Sequence, residues 1–241
     1  MTLDSYLFTC QGGRSYNQDA VGSSKLPGGG IFVVADGLGG HLDGELASKC
    51  AVDTILCQHP TQGEPLAGWL EAQIKLANSR ILSLQEQRRC NMKSTVAALV
   101  INGTDAAWAN VGDSRVYYLH NRAIADITED HSVAYKKYKS GEITRAQIGT
   151  DEDQSCLLRA LGNPDRSQPE CRGPRQPIEP GDGFFLCSDG MWEYILDEEI
   201  LVDFLKADTA QTWGELLQLR AMERIRSGND NLSLITVKVT D

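Results

Sequence analysis

The chain has no C-x-x-C pair among its seven cysteines, no Lys/Arg-rich block, no internal repeat and no long apolar run. Each absence excludes something. Without paired cysteines neither a zinc ribbon nor a thioredoxin-type centre is written here. Seven scattered thiols read as free groups in a reducing cytoplasm rather than as a disulfide scaffold. A membrane-spanning helix needs roughly 18 consecutive apolar residues, and no stretch approaches that. The opening residues, MTLDSYLFTCQGG, have neither a basic start nor an apolar centre, so no signal peptide is expected.

Acid stands where the basic block is missing. The 241 residues carry 23 Lys+Arg against 33 Asp+Glu, a formal charge of −10. Such a surface repels nucleic acid phosphates, so no nucleic acid partner and no membrane are expected. Apolar residues at 41% and charged residues at 23% are ordinary globular values, and the length suits a single domain over 1–241 with its own core.

Apolar patterning places the elements. Ser5 to Thr9 and Ile31 to Ala35 read as strands separated by a turn-prone stretch that ends at Pro27-Gly28-Gly29-Gly30. Helical spacing marks Glu45 to Gln58 and about Pro65 to Gln87, with Pro65 suited to a first turn. Thr95 to Ile101 is continuously apolar, as a strand buried on both faces would be. Ala106 to Val111 and Arg115 to His120, joined by Gly-Asp-Ser, read as a hairpin, and Asn121-Arg122 turns the chain into Ile124 to Thr128. Residues 131–158 are polar and Lys-rich, with a short helical signal only after Thr144. Phe184 to Cys187 and Leu232 to Val239 are strands, with helices near Glu198 to Lys206 and Trp213 to Arg226 between them. Strands cluster instead of alternating with helices, which argues for two antiparallel sheets face to face with helices outside: an α+β, four-layer αββα sandwich. The segment 131–158 is an excursion from it.

Two stretches share one design. Ile31-Phe32-Val33-Val34-Ala35-Asp36-Gly37 and Phe184-Phe185-Leu186-Cys187-Ser188-Asp189-Gly190 are buried-strand patterns ending in Asp-Gly. Asp113, in Gly112-Asp113-Ser114-Arg115, and Asp230, in Gly228-Asn229-Asp230-Asn231, also stand at strand ends, and Asp19 makes a fifth acid. Any one of these is an ordinary turn signal. Together, if the ends meet, they form a stack of like charges that requires cations. An all-oxygen donor set suits Mg²⁺ or Mn²⁺, and two such ions about 3.5–4 Å apart are machinery for hydrolysing a phosphate ester. No cysteine opens a Cys-x₅-Arg loop, so thiol-based phosphate chemistry is not supported.

The order R-x-x-N-x-D, A-D-G-x-G-G-H-x-x-G-E-x-A-S, S-T-x-x-A, N-V-G-D-S-R, L-C-S-D-G, D-N-x-S resembles the metal-dependent (PPM, or type 2C) Ser/Thr protein phosphatases. The likeness runs from about Gly12 to Val239 and is to the compact, free-standing bacterial branch. Ser188-Asp189-Gly190-Met191-Trp192-Glu193 is similar to members that oppose a Ser/Thr kinase, including those tied to type VI secretion. The resemblance implies that Asp36 bridges two metals, that the Gly37 carbonyl ligates one, and that Asp189 and Asp230 complete the other. It implies a further, weaker metal site at Asp113 with Asp189. By the same resemblance Asp19 would hold a metal-bound water from behind, with Gln18 and Asn231 as further residues of that outer layer. Arg14 falls where the family places its phosphate clamp, and a guanidinium fork suits a phosphoryl group.

Three positions depart from the family pattern. Gln18 stands where many relatives have Glu. Leu38 stands where animal relatives have a His proposed as general acid, so His41 or a metal-bound water is left to protonate the leaving alkoxide. The other reading of His41 is a turn residue capping the next helix. Lys93 replaces the usual Gly beside Ser94 and Thr95, whose expected role is packing. Residues 131–158 resemble the family's flap, and Lys136, Lys137 and Lys139 read either as a patch steering phosphorylated substrate or as a solvated face. The expectation is therefore a cytoplasmic, monomeric protein Ser/Thr phosphatase with two Mn²⁺ or Mg²⁺ ions and room for a third. It would act on phosphoproteins under a bacterial Ser/Thr kinase. The alternatives are a weak or inactive phosphoprotein-binding regulator, or a hydrolase of small phosphate esters.

Overall fold

Side chains alternate across a strand, so a strand that is apolar at every position must be covered on both faces. Ile31, Val33 and Ala35 face one core, Phe32 and Val34 another, and all five are buried. This pattern generates the architecture. The computed structural model describes residues 1–40, 43–225 and 227–241.

One sheet has the order β1 (Thr2–Cys10), β12 (Leu232–Thr240), β11 (Gly183–Cys187), β8 (Arg115–His120), β9 (Ala123–Ile127). The other has the order β10 (Glu170–Arg172), β7 (Asp105–Val111), β6 (Val96–Asn102), β3 (Gly29–Ala35), β2 (Ala20–Leu26). A two-stranded pair, β4 (Gly37–Leu38) with β5 (Lys93–Ser94), continues from β3. Every strand pairing is antiparallel. The inter-sheet core holds Phe32, Leu99, Trp108, Tyr118, Phe184 and Ile235. Helices α1 (Asp43–Leu56) and α2 (Leu66–Arg88) bury Ile55, Trp69 and Ile74 on the outside of the β3 sheet. Helices α5 (Asp197–Lys206) and α6 (Ala210–Arg224) bury Phe204, Trp213 and Leu217 on the outside of the β11 sheet. The αββα sandwich expected from the sequence is the fold.

Asn121 and Arg122, at φ 50° and 61°, form the tight two-residue turn between β8 and β9. The expected hairpin of 106–111 with 115–120 does not exist. β7 pairs with β6 and β10, whereas β8 pairs with β11 and β9. Gly112, at φ 96°, carries the chain from one sheet to the other, which leaves Asp113 on the seam between them. β2 was hidden in the turn-prone stretch because Gly22 and its serines weaken the strand pattern. Pro65 caps α2 and is not in its first turn.

The flap also differs from expectation. Its α-helix comes early, α3 (Val133–Ser140), capped by the Ser132 hydroxyl, which accepts from Tyr135 N at 3.2 Å. Thr144 introduces a 3₁₀ turn, Arg145–Thr150, in place of an α-helix. The lysines that masked the α3 pattern are its outer face; only Ala134 and Tyr135 are fully covered.

Candidate metal centre

Four of the five aspartates stand where strands leave the sandwich, because the ladder ends there and the next residues must turn. Asp36 follows β3; Asp113 sits in the β7–β8 crossover; Asp189 opens the short helix α4 (Asp189–Trp192) after β11; Asp230 precedes β12. With Arg14, Gln18, Gly37 and Asn231 they line one cavity of about 570 Å³. Asp19 lies behind it, buried, accepting from Ser188 Oγ at 2.8 Å.

The charges are crowded. Burial first, then Asp19, Asp189, Asp113 and Asp230, drives the Asp36 carboxyl well above the usual carboxylate range. Asp113 is driven up by burial, then by Asp189 and Asp130. Burial with Asp230 and Asp19 pushes Asp189 up to about 7. Burial pushes Asp19 to about 6 against the hydrogen bonds of Ser233 and Ser188. Asp113 Oδ1 is buried and finds no hydrogen-bond partner among the described residues. Mutually repelling carboxylates with an orphaned oxygen are what divalent cations satisfy, so the donor set fits hard ions.

One trio of metal-type donors within 4.8 Å lies elsewhere, at His120, Glu179 and Asp182. There His120 Nδ1 and Asp182 Oδ1 are 2.7 Å apart, and the Gln176 amide reaches Nε2 at 2.6 Å. Both ring nitrogens are engaged, so that network is complete without an ion. The strand-end aspartates do not meet so tight a spacing among the described residues. A pair of ions with waters between them spreads its ligands more widely, so the crowded charge is the better guide here.

Backbone and hydroxyl contacts hold these acids. Ser94 Oγ donates to Asp36 O at 2.9 Å, and Asp36 N donates to Thr95 Oγ1 at 3.0 Å. Thr95 Oγ1 and Ser114 Oγ are 2.7 Å apart, so these residues do more than fill space. Gly37 has no room for a side chain: a Cβ would lie 2.0 Å from Gly44 O. Gln18 donates through N to Asn231 Oδ1 at 2.8 Å and through Nε2 to Gly39 O at 3.1 Å. Asn231 Nδ2 reaches Gln11 O and Tyr16 O at 2.8 and 2.9 Å, stapling the Arg14 loop to the start of β12. Arg14 closes its fork on Asp230, Nε to Oδ1 at 3.1 Å and Nη2 to Oδ2 at 2.7 Å. His41 lies outside the described residues.

The flap lysines do not line this cavity; Ser155 and Leu157 do. Lys137 is tied to Asp151 and Asp153 at 2.9 and 2.7 Å, and Lys139 to Glu129 at 2.9 Å. Lys137 and Lys139 thus have acid partners within the protein, while Lys136 and Lys139 remain exposed at the surface.

Sequence reasoning missed Glu193 and Gln154. Glu193 is one helical turn after Asp189, a signal that was available. Burial first, then Asp189 and Asp230, pushes its carboxyl to about 8. Gln154 carries no sequence signal. Arg115 was also passed over: it forms a buried ion pair with Asp130 at 2.6 Å and lies 3.5 Å over the Trp192 ring. Trp192 Nε1 donates to Asp113 O at 2.9 Å, fixing the crossover from behind.

Comparison with known proteins bears on the family and the fold. The family model described as protein phosphatase 2C matches residues 10–224. The serine/threonine phosphatase Stp of Listeria monocytogenes is 30% identical over 215 residues, covering 86% of this chain and 84% of its own. The catalytic domain of the serine/threonine protein phosphatase PstP, solved with two manganese ions, superposes with a TM-score of 0.79 at 26% identity, covering 99% of each chain. PppA, a key regulatory component of the type VI secretion system in Pseudomonas aeruginosa, superposes with a TM-score of 0.79 at 26% identity, covering 99% of this chain and 98% of its own.

Proposed function

The chain belongs to the protein phosphatase 2C family, and on that premise we propose that it removes phosphate from phosphoserine and phosphothreonine in proteins. It is a phosphoric monoester hydrolase that uses Mn²⁺ or Mg²⁺. The observation that carries the reading is the convergence of Asp36, Asp113, Asp189 and Asp230 on one cavity with Arg14 at its rim.

Two divalent cations, when bound, supply charge neutralisation and an activated water for in-line attack on phosphorus. Asp36, whose carboxyl feels Asp19, Asp189, Asp113 and Asp230 at once, would be the acid shared by the two cations, with the Gly37 carbonyl beside it as a further ligand. Asp113 with Asp189 offers the weaker, additional site. Asp19, oriented by Ser188, holds a water from behind. Arg14 grips the phosphoryl oxygens through two parallel N–H groups. The proton for the departing serine or threonine oxygen would come from His41 or from a metal-bound water. Gln18 in place of a carboxylate removes one negative charge near the metals.

The substrates are phosphorylated proteins. The likeness to PppA, a regulatory component of a type VI secretion system, supports a regulatory setting, type VI secretion among others. In that setting the reading has the enzyme oppose a bacterial Ser/Thr kinase. The reading takes it as a cytoplasmic monomer; among the described residues no helix is long and apolar enough to cross a membrane.

The test is hydrolysis of a phosphothreonine peptide and of a small aryl phosphate, with Mn²⁺, with chelator, and for Asp36→Asn. Both chelator and substitution are expected to lower turnover by more than the roughly 10–100-fold that loss of an outer-shell partner brings. Activity that survives both would sink the two-metal mechanism. Turnover of the aryl phosphate alone would make the enzyme a small-ester hydrolase, and peptide binding without turnover a regulator.

A further inference from the structure

Among the described residues, one flap side chain, Gln154, hydrogen-bonds to acids on the metal side of the site. The flap's 151–156 loop is knotted by Lys137, which reaches both Asp151 and Asp153. Within it Gln154 N donates to Asp151 O and Cys156 N to Asp153 O, at 3.1 and 3.0 Å. The closed loop presents Gln154 toward α4. Gln154 Nε2 donates to Glu193 Oε1 and, at 3.4 Å, to Asp189 Oδ2. Glu193 N donates back to Asp189 O at 3.0 Å, so the two acids move as one turn. Glu193 is not among the cavity-lining residues, whereas Ser155 and Leu157, on either side of Cys156, are. An amide that donates to two acids fixes the loop whose next residues face the substrate.

We propose that Gln154 is a positioning residue that latches the flap onto Glu193 and Asp189 and so sets the cavity wall formed by Ser155 and Leu157. The proposal rests on the phosphatase reading of the same site. It assigns Lys137 to shaping the latch rather than to touching substrate. By reciprocity, whatever cation Asp189 takes must also alter how firmly the flap is held.

The test uses the full chain as wild type, Gln154→Ala, Glu193→Ala and Glu193→Gln. Hydrogen exchange of peptides spanning 145–158 is followed in chelator and in saturating Mn²⁺, alongside steady-state kinetics. Loss of a hydrogen bond of this class is expected to raise exchange, and KM for a phosphothreonine peptide, roughly three- to tenfold in Gln154→Ala and Glu193→Ala. The rise in KM should exceed the change in kcat on a small aryl phosphate. Glu193→Gln keeps an oxygen that accepts from the amide and should restore wild-type exchange and KM. Unchanged flap exchange in Gln154→Ala, or Glu193→Gln as impaired as Glu193→Ala, would overturn the latch. The exchange arm in chelator reads it even if the wild type with Mn²⁺ hydrolyses neither substrate, a result that would count against the phosphatase reading alone.

Discussion

In the proposed site, Arg14 and a metal ion would compete for the same oxygens of Asp230. Its guanidinium spans both carboxylate oxygens of Asp230, with the arginine side chain 55% exposed and that of Asp230 37% exposed. An ion pair so open to water is worth only about 0–1 kcal/mol, so a divalent cation can displace it and free the fork for phosphate. Arg14→Ala is therefore expected to tighten Mn²⁺ binding by up to about fivefold while lowering kcat/KM on phosphopeptide, since a competitor and a clamp are removed together. Calorimetric titration with Mn²⁺ beside kinetics measures both; weaker Mn²⁺ binding in the variant would mean that Arg14 supports Asp230 rather than competing for it. At this scale the sequence was most informative where a residue declares itself locally. Asp36 and Asp189 are legible because the same buried-strand pattern ending in Asp-Gly occurs twice in the chain. Gln154 is not, because its partners lie 35 and 39 positions away and only the folded flap brings them within reach. Lys137 is hard to read for a different reason: its two acid partners are nearby in sequence, but a Lys-rich run looks the same whether or not it is neutralised.

At the scale of elements, apolar runs announce strands but not the sheet each strand joins. Val96–Asn102 and Gly183–Cys187 are buried on both faces, and their composition says so directly. The Gly-Asp-Ser between β7 and β8 would serve a hairpin or a crossover equally well, since both need a backbone reversal at glycine. The fold chose the crossover, and that choice carries Asp113 to the seam. Gly112 is the hinge: at φ 96° a side chain is strained, and a Cβ would sit 2.7 Å from Thr95 Cγ2. Because Thr95 also holds Asp36 N and Ser114 Oγ, a push there reaches the candidate ligand Asp36 directly and Asp113 through its neighbour Ser114. Gly112→Ala is expected to cost about 1–2 kcal/mol for the left-handed backbone alone. For a chain of this length that lowers Tm by roughly 2–8 °C, and the stabilisation gained from saturating Mn²⁺ should shrink as well. Thermal melts in chelator and in Mn²⁺ measure both; a lower Tm with an unchanged Mn²⁺ increment would confine the crossover to a structural role.

For the molecule as a whole, the charge of −10 is a count whose chemistry depends on where the acids sit. The composition could be read from the sequence; the concentration of five aspartates around one cavity required both sheets to align their ends. Burial and mutual repulsion raise Asp36, Asp113, Asp189, Asp19 and Glu193, with Asp19 near 6, Asp189 near 7 and Glu193 near 8. In the unfolded chain the same groups titrate at about 4. Between those values the native state binds more protons than the unfolded state, so stability falls as pH rises. Protonated, these groups contribute their full share below pH ~4, and that share is lost as pH climbs through the native values. Buried His131, lowered by burial and then by Arg159, opposes this trend below about pH 6.5, but it is one group against five. Surface acids with lowered values, such as Glu199 at about 2 beside Arg224, lose stability only at more acid pH and leave the window clear. The chelated protein is therefore expected to lose Tm by several degrees between pH 5 and 8. Mn²⁺ acts against the same repulsion: at a hundred times its Kd a ligand adds about 2.7 kcal/mol, or roughly 5–10 °C for a chain of this length. Protons compete with it for the carboxylates, so the gap between Mn²⁺-loaded and chelated melting curves should widen as pH rises. Asp189→Asn should flatten the chelated curve by removing one contributor. A chelated Tm that rises steadily from pH 5 to 8 would show that the aspartates are not crowded in the native state, and the case for cations at the strand ends would fall with it.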